Sequence, residues 1–320
     1  MPDIFQTRII KPMLIGATGG PFDDPDFIYE LKWDGERCLA YLDPAHGTTL
    51  INKRGVRMLP KVPELANIHE QVRGRCILDG ELAIIENGKP NFSAIQRRSI
   101  MSNTFRLRLD AQQRPACFIA FDILYDQDTQ TMNQPLIDRK QRLHRVVKAE
   151  SDRLAVSRFY EGAGTLLFTL TQERELEGIV AKRRDSLYWP GKRTKDWIKI
   201  KNLQDEDFVV CGWVPKDNHM TSLVLGQYHG DTLVYQGHVT LGVGGAAFDR
   251  IQRMRSLGQP ACSQVPPGHG NEDARWIEPG LVCTVAYMER TAGGGMRQPV
   301  FKGLRDDKSP QDCVASKPAN

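Results

Sequence analysis

Apolar and polar residues alternate in short runs from residue 27 onward: FIYELKW, RCLAYL, TTLINK, RCILDGELAII, PACFIAFDILY, GIVAKR and DWIKIK, with turn-forming residues between them. Alternation with a period of two places successive side chains on opposite faces of a strand, so these runs predict a sheet-rich domain. Two segments break the alternation. In LIDRKQRLHRVVK, Leu136, Lys140, Leu143 and Val147 fall on three- and four-residue steps, and GTLLFTLTQERELEG keeps helical spacing up to Gly178. Both predict helices packed between strands. After Lys201 a second set of strands follows, DFVVCGWV, LVLGQYHG, TLVYQGHVTLG and LVCTVAYMER, whose spacing predicts a small antiparallel barrel. The boundary is expected at 201–207, giving domains 1–203 and 204–320. The glycine-rich pieces GVGG (242–245) and AGGG (292–295) lack P-loop spacing and a following helix signal, and read as turns or bulges.

Composition narrows the class. A chain of 320 residues that is 40% hydrophobic can bury the cores of two domains. No apolar run approaches the roughly 20 residues of a membrane span, and the start MPDIFQTRIIKP lacks the features of a secretory signal. A cytoplasmic protein with no membrane partner is expected. Seven cysteines without a C-x-x-C pair argue for reduced thiols, and no two histidines stand at H-x-x-x-H spacing. A structural zinc is therefore not expected; magnesium held by carboxylates is. The net charge of +4 is mild, but basic residues cluster at 96–109, 138–148, 181–201 and 301–308. The cluster at 138–148 reads as a solvated helix face.

The residues with chemistry come in an ordered series. Lys32-Trp33-Asp34-Gly35-Glu36-Arg37 is followed by Lys53-Arg54-Gly55, Leu78-Asp79-Gly80-Glu81-Leu82, Phe121-Asp122-Ile123-Leu124, Glu177-Gly178-Ile179-Val180-Ala181-Lys182 and Trp197-Ile198-Lys199-Ile200-Lys201. A lone K-x-D-G is weak evidence; six short motifs in order are not a chance match. The series resembles the covalent nucleotidyltransferases: ATP-dependent DNA ligases, RNA ligases and messenger-RNA capping enzymes. The closing Phe301-Lys302-Gly303-Leu304-Arg305-Asp306-Asp307-Lys308 is similar to the last motif of bacterial end-joining DNA ligases.

The resemblance implies an α+β chain, a nucleotidyltransferase domain of ATP-grasp-like antiparallel sheets with helices followed by an all-β OB-fold barrel. It implies a DNA ligase using ATP and Mg2+, with Mn2+ as a substitute, and makes Lys32 the residue that carries AMP. A lysine with a free pKa of about 10.4 must be neutral to attack a phosphate, and nearby cations would favour that form; Lys199, Lys201 and the metal are the candidates. Glu81 and Glu177 are oxygen donors suited to magnesium, with Glu81 also placed near the ribose, and Asp34 would orient Lys32 or a water. Glu30 and Leu31 fall at the base, where Glu30 would accept from an adenine amino group and Phe121 would stack on the purine. Arg37 and Arg54 are forked donors for phosphate or ribose. Arg305 and Lys308 would grip the β- and γ-phosphates.

Nicked or broken duplex DNA is the implied substrate, and Arg97, Arg98, Lys182 and Arg183 are its expected contacts. The chain is expected to act as a monomer in bacterial or viral cytoplasm, in DNA repair, recombination or replication, with a DNA-end-binding repair protein as a candidate partner. Only some thirty residues precede Lys32, so no N-terminal DNA clamp and no fused polymerase or nuclease is expected. An RNA ligase, a capping-type enzyme and a non-enzymatic nucleic-acid binding module are the alternatives.

Overall fold

The computed structural model describes residues 3–291 and 295–315. The chain divides into two compact units, Met1–Asn202 and Leu203–Asn320. The first unit runs, in chain order, α1 (Ile4–Thr7), β1 (Leu14–Thr18), β2 (Phe27–Leu31), β3 (Glu36–Asp43), β4 (Gly47–Asn52), β5 (Cys76–Glu86), β6 (Lys89–Pro90), α2 (Phe92–Ile100), α3 (Thr104–Gln113), β7 (Ala116–Asp126), β8 (Thr129–Gln130), α4 (Leu136–Val146), β9 (Leu154–Val156), β10 (Phe159–Glu161), α5 (Gly164–Glu173), β11 (Gly178–Arg183) and β12 (Arg193–Lys201).

Its strands form two sheets, one in the order β1-β12-β11-β2-β10 and one built on β4-β3-β5-β7-β8, to which β6 and β9 are attached. Pairing is antiparallel except for β1 with β12 and β7 with β9. The two-residue alternation sorts side chains into separate cores. On β3, Cys38, Ala40 and Leu42 pack outward with Leu78 and Phe118, whereas Leu39 and Tyr41 face a core that also contains Val180 and Trp197 of the other sheet. On the far side of the five-stranded sheet, Tyr29, Ile179, Ala181 and Ile200 close against Leu167 of α5.

One break in the alternation matters. The β5–β7 register shifts twice, so that Gly80 pairs with Ala120, Asp79 with Asp122, Leu78 with Ile123 and Ile77 with Tyr125. Phe121 and Leu124 are the residues left over, and both point into the core between the two sheets. Such bulges re-aim side chains, and here one turns Phe121 toward the inter-sheet side.

Two sequence expectations for the helices are corrected. Residues 138–148 present a solvated face at Asp138, Gln141, His144, Arg145 and Lys148, but Arg139 and Lys140 of α4 do not belong to it, because both are fully buried. Arg98 of α2, expected to meet DNA, is also fully buried. Its guanidinium donates to Asp110 Oδ2 at 2.8 Å and the Asp110 carbonyl at 2.9 Å, and also meets Glu64 and the Arg114 carbonyl. Its neighbour Arg97 is exposed.

The second unit comprises β13 (Gln204–Lys216), β14 (Met220–His229), β15 (Thr232–Gly242), α6 (Ala246–Gln252), β16 (Ser256–Leu257), β17 (Arg275–Ile277), β18 (Val282–Tyr287) and β19 (Val300–Arg305). These seven strands form one sheet, β15-β14-β13-β17-β16, with β18 on β13 and β19 on β18, in keeping with an OB-fold. Alternation along β13 again divides two cores, Phe208 and Val210 on one side, Val209 and Cys211 on the other. One short helix accompanies the strands: α6 follows GVGG, where the sequence carries no helix signal, and buries Phe248 edge-on to Trp213 at 5.1 Å. Seven residues with two buried side chains are too few to show helical periodicity in the sequence. Gly242 ends β15 and 243–245 turn into the helix, whereas 292–294 of AGGG lie outside the described residues.

The Arg98 network makes a first prediction. Arg98→Met leaves buried carboxylates without their cation and should lower the unfolding free energy by about 3–5 kcal/mol, measured by urea denaturation. A variant of unchanged stability with weakened DNA binding would restore the surface role.

Candidate active site

The site is assembled where the two sheets face each other. On β2, β11 and β12 the side chains turned toward the second sheet are Ile28 and Glu30, Val180 and Lys182, and Trp197, Lys199 and Lys201. Cross-strand register sets Glu30 beside Val180 and Val180 beside Lys199, one step from the row of Ile28, Lys182 and Trp197. The motifs at 177–182 and 197–201 are thus two neighbouring strands of one wall. Lys32 follows the end of β2, its amide donating to the Gly178 carbonyl at 2.9 Å. Gly178 itself has φ +130°, and a Cβ there would lie 2.1 Å from the Ile200 carbonyl oxygen. A Cβ on Gly35 would likewise fall 2.1 Å from the Leu82 carbonyl oxygen, so both motif glycines are required by close backbone approach.

A cavity of about 80 Å3 opens here, its walls including Glu30, Lys32, Arg37, Glu81, Phe121 and Lys182. Leu31 and Trp197 also line it.

At one end lies the lysine. Lys32 Nζ stands 2.7 Å from Glu177 Oε1. The direct partner of this amine is thus a carboxylate, with the expected cations Lys199 and Lys201 farther along the same wall. The other Glu177 oxygen, Oε2, is buried and has no hydrogen-bond partner among the described residues. Burial raises the Glu177 carboxyl above its ordinary range against the pull of Lys32, and Asp34 adds to the rise. Burial also pushes Glu81 up to about 8, opposed by Arg37 and Lys32 and assisted by Glu177 and Asp79. Lys201 acts on Glu177 electrostatically; Lys199 pairs with Val180 in the same wall.

At the other end the charges are paired. Arg37 Nε and Nη2 each donate to Asp79 at 2.6 Å, Tyr188 donates to the same carboxylate at 2.6 Å, and the guanidinium lies 4.5 Å from the Phe121 ring centre. Lys182, expected as a DNA contact, is buried instead. Its ammonium donates to Glu30 Oε1 at 2.8 Å and stands 4.4 Å from the ring centres of both Phe121 and Trp197. Burial lowers its pKa to about 8, with Glu30 opposing and Lys140 adding to the fall. Arg183, next in sequence, stays at the surface beside Asp26 and Asp185.

Arg54 is not brought to the cavity; it lies exposed after β4. Arg305 and Lys308 belong to the second unit, where both meet Asp207 Oδ2, at 3.2 and 2.8 Å. Burial alone would raise the Asp207 carboxyl, but hydrogen bonds from Lys308 and Thr284 hold it below its ordinary range. Arg305 also forms a two-pronged pair with Asp307.

The sequence reading missed Asp79 and Tyr188 as supports of Arg37, Lys140 as a second cation on Glu30, and Asp207 as partner of the closing motif. Asp79 was visible inside LDGEL. Lys140 left a fainter mark, a lysine on the otherwise apolar stripe of its helix.

No group of three or more His, Cys, Asp or Glu poised for a metal occurs among the described residues. Magnesium commonly uses one or two carboxylates and completes its shell with phosphate and water. The partnerless Glu177 oxygen and the partly neutral Glu81 fit that mode, since a divalent cation would satisfy the first and favour ionisation of the second.

Residues 15–201 match the family model described as "ATP dependent DNA ligase domain", and residues 216–308 match "ATP dependent DNA ligase C terminal region". The chain is 30% identical over 345 residues to the multifunctional non-homologous end joining protein LigD of Pseudomonas aeruginosa, covering 98% of this chain and 39% of that protein. It is 28% identical to DNA ligase C1 of Mycolicibacterium smegmatis, covering 95% of this chain and 92% of that one. Among solved structures, mycobacterial DNA ligase D complexed with ATP and MES matches with a TM-score of 0.57 at 27% identity, over 95% of this chain and 98% of that one.

Glu81 supplies a prediction. Because its folded-state pKa is raised to about 8, the folded protein binds more protons than the unfolded chain between the ordinary carboxyl range and pH 8, so stability falls as pH rises through that window. In metal-free buffer, Glu81→Gln should flatten this fall and melt higher than the parent at pH 8.5. Parallel melting curves for the two proteins from pH 5 to 8.5 would contradict the assignment.

Proposed function

The chain belongs to the ATP-dependent DNA ligases, and from that premise we propose that it seals nicks in duplex DNA through AMP carried on Lys32. The observation that carries the reading is the Lys32–Glu177 contact at a cavity whose other wall holds Phe121, Arg37 and Glu30. In the first step the Lys32 amine attacks the α-phosphorus of ATP, a P–N bond forms and pyrophosphate leaves. The nearest base to the ammonium is Glu177 at 2.7 Å, so its proton has an acceptor as that bond forms. AMP then passes to the 5′-phosphate of a nick, and the 3′-hydroxyl displaces it. Nothing in the three transfers requires a new site: each moves a phosphoryl group past the same lysine and carboxylates, and positioning with charge stabilisation supplies most of the catalysis.

Magnesium, when bound, would neutralise the phosphate oxygens; Glu177 and Glu81 are the residues that would hold it. Arg37 is oriented by Asp79 toward the nucleotide, and Lys199 and Lys201 supply positive charge on the same wall. Met1–Asn202 is read as the adenylation domain and Leu203–Asn320 as the OB-fold domain. DNA would meet exposed cations such as Arg97 and Arg183 rather than the buried Arg98 and Lys182. The chain spans 39% of the length of its LigD relative, so end joining, a DNA-end-binding partner and action on nucleoid DNA in the cytoplasm are parts of this proposal. Among the described residues no helix is long and apolar enough to cross a membrane.

Two experiments test it. After incubation with ATP and Mg2+, mass spectrometry should place one AMP on Lys32, and Lys32→Ala should carry none and seal no nick. Labelling by GTP in place of ATP would favour a capping-type enzyme, and sealing confined to RNA strands would favour an RNA ligase. The second concerns Arg305 and Lys308, which act on departing pyrophosphate in this reading. Changing both to alanine should slow adduct formation by about a hundredfold or more, while a nick already adenylated on its 5′-phosphate closes at nearly the parent rate. Equal losses on both substrates at unchanged melting temperature would remove these residues from the first step.

A further inference from the structure

Helix α4 lies outside the motif series, yet it reaches both walls of the cavity. Consecutive helical residues diverge by about 100° around the axis, and Arg139 and Lys140 use that divergence. Arg139 donates from Nε and Nη2 to Asp122 at 2.8 and 2.9 Å, bracing the residue next to Phe121, and from Nη1 to the Ser186 carbonyl at 2.9 Å. Lys140, fully buried, brings Nζ to 2.6 Å from Glu30 Oε1 on the opposite wall, off hydrogen-bond alignment. Lys182 holds the same oxygen at 2.8 Å. Among the described residues no hydrogen bond reaches Glu30 Oε2, and Glu30 lines the cavity while only 1% exposed.

A carboxylate buried this deeply persists in ionised form only when cations compensate its lost hydration. Burial would raise the Glu30 carboxyl, and the two ammonium groups, Lys140 the stronger, bring it below its ordinary range. The protonation state decides what the wall can recognise. An ionised carboxylate only accepts hydrogen bonds, whereas a protonated one also donates. An acceptor-only group suits a purine with an amino group at C6 and repels one with a carbonyl there.

Taking the cavity as the ATP site proposed above, we propose that Lys140 is a positioning residue for base selection, which fixes Glu30 as an acceptor and so makes the pocket prefer 6-amino over 6-oxo purine nucleotides. Lys140 touches no substrate; it acts through Glu30.

The test compares ATP with ITP as donor for the Lys32 adduct in single-turnover reactions. Lys140→Met, of similar length and without charge, should raise the apparent KM for ATP about tenfold with the maximal rate within a few fold. It should reduce the ATP-to-ITP preference by about tenfold or more, the scale expected when a polar selection contact is lost. Glu30→Gln, whose amide can turn a donor to the 6-oxo group, should reduce the preference at least as far. Because Lys140 works through Glu30, adding Lys140→Met to Glu30→Gln should move the ratio less than twofold; that pair carries the test alone should Lys140→Met fail to fold. A parent-like ratio in Lys140→Met, or a further independent loss in the double variant, overturns the proposal. A parent protein that forms no Lys32 adduct overturns the reading of the cavity instead.

Discussion

The first unit depends on pairing charges that its two sheets bury between them. Removing an ion from water costs several kcal/mol unless a counter-ion and hydrogen bonds replace the lost hydration. Here Arg37 is tied to Asp79, Arg139 to Asp122, and Lys140 and Lys182 to Glu30. Arg37 and Asp79 link neighbouring strands of one sheet, Lys182 and Glu30 neighbouring strands of the other, and Arg139 and Lys140 tie α4 to both. The surrounding Leu39, Tyr41, Val180 and Trp197 provide the apolar burial.

The same constraint identifies the reactive end of the cavity. Where the buried charge is matched, as around Asp79, the wall is preorganised and has no need of a ligand to hold its shape. Where matching is incomplete, a ligand or metal has something to complete. Glu177 has one oxygen on Lys32 and another buried without a partner, and Glu81 is pushed toward its neutral form. These groups flank the lysine that carries AMP in the proposed reaction. Preorganisation on one side and unmet electrostatic demand on the other suit a site that must hold a nucleotide still while its phosphates change charge.

In the second unit Asp207 gathers Arg305 and Lys308 onto one carboxylate oxygen, with Thr284 on the other. Partly exposed pairs of this kind are weak and exchangeable. In the proposed first step phosphate, with more charge and more acceptor oxygens, would compete for those two cations. Asp207, near the start of a long strand, keeps the closing motif ordered.

Local chemistry was legible in the sequence. The strand runs, the order of the motifs from Lys32 to Lys201 and the change of texture past Lys201 follow from residue type and short-range periodicity, which act between near neighbours. Burial of individual charges was not. Arg98, Arg139, Lys140 and Lys182 look like any surface cation in a basic run, because a sequence shows charge without showing what lies opposite it. Asp110, Glu64, Glu30 and Asp122 become partners only when distant segments pack. The bulge that turns Phe121 inward is equally a property of pairing with β5. The sequence by itself determined which reactive groups are present and on which strands they ride; the tertiary structure alone decided which of them meet, because the energy of a buried charge is set by the neighbours that replace its water.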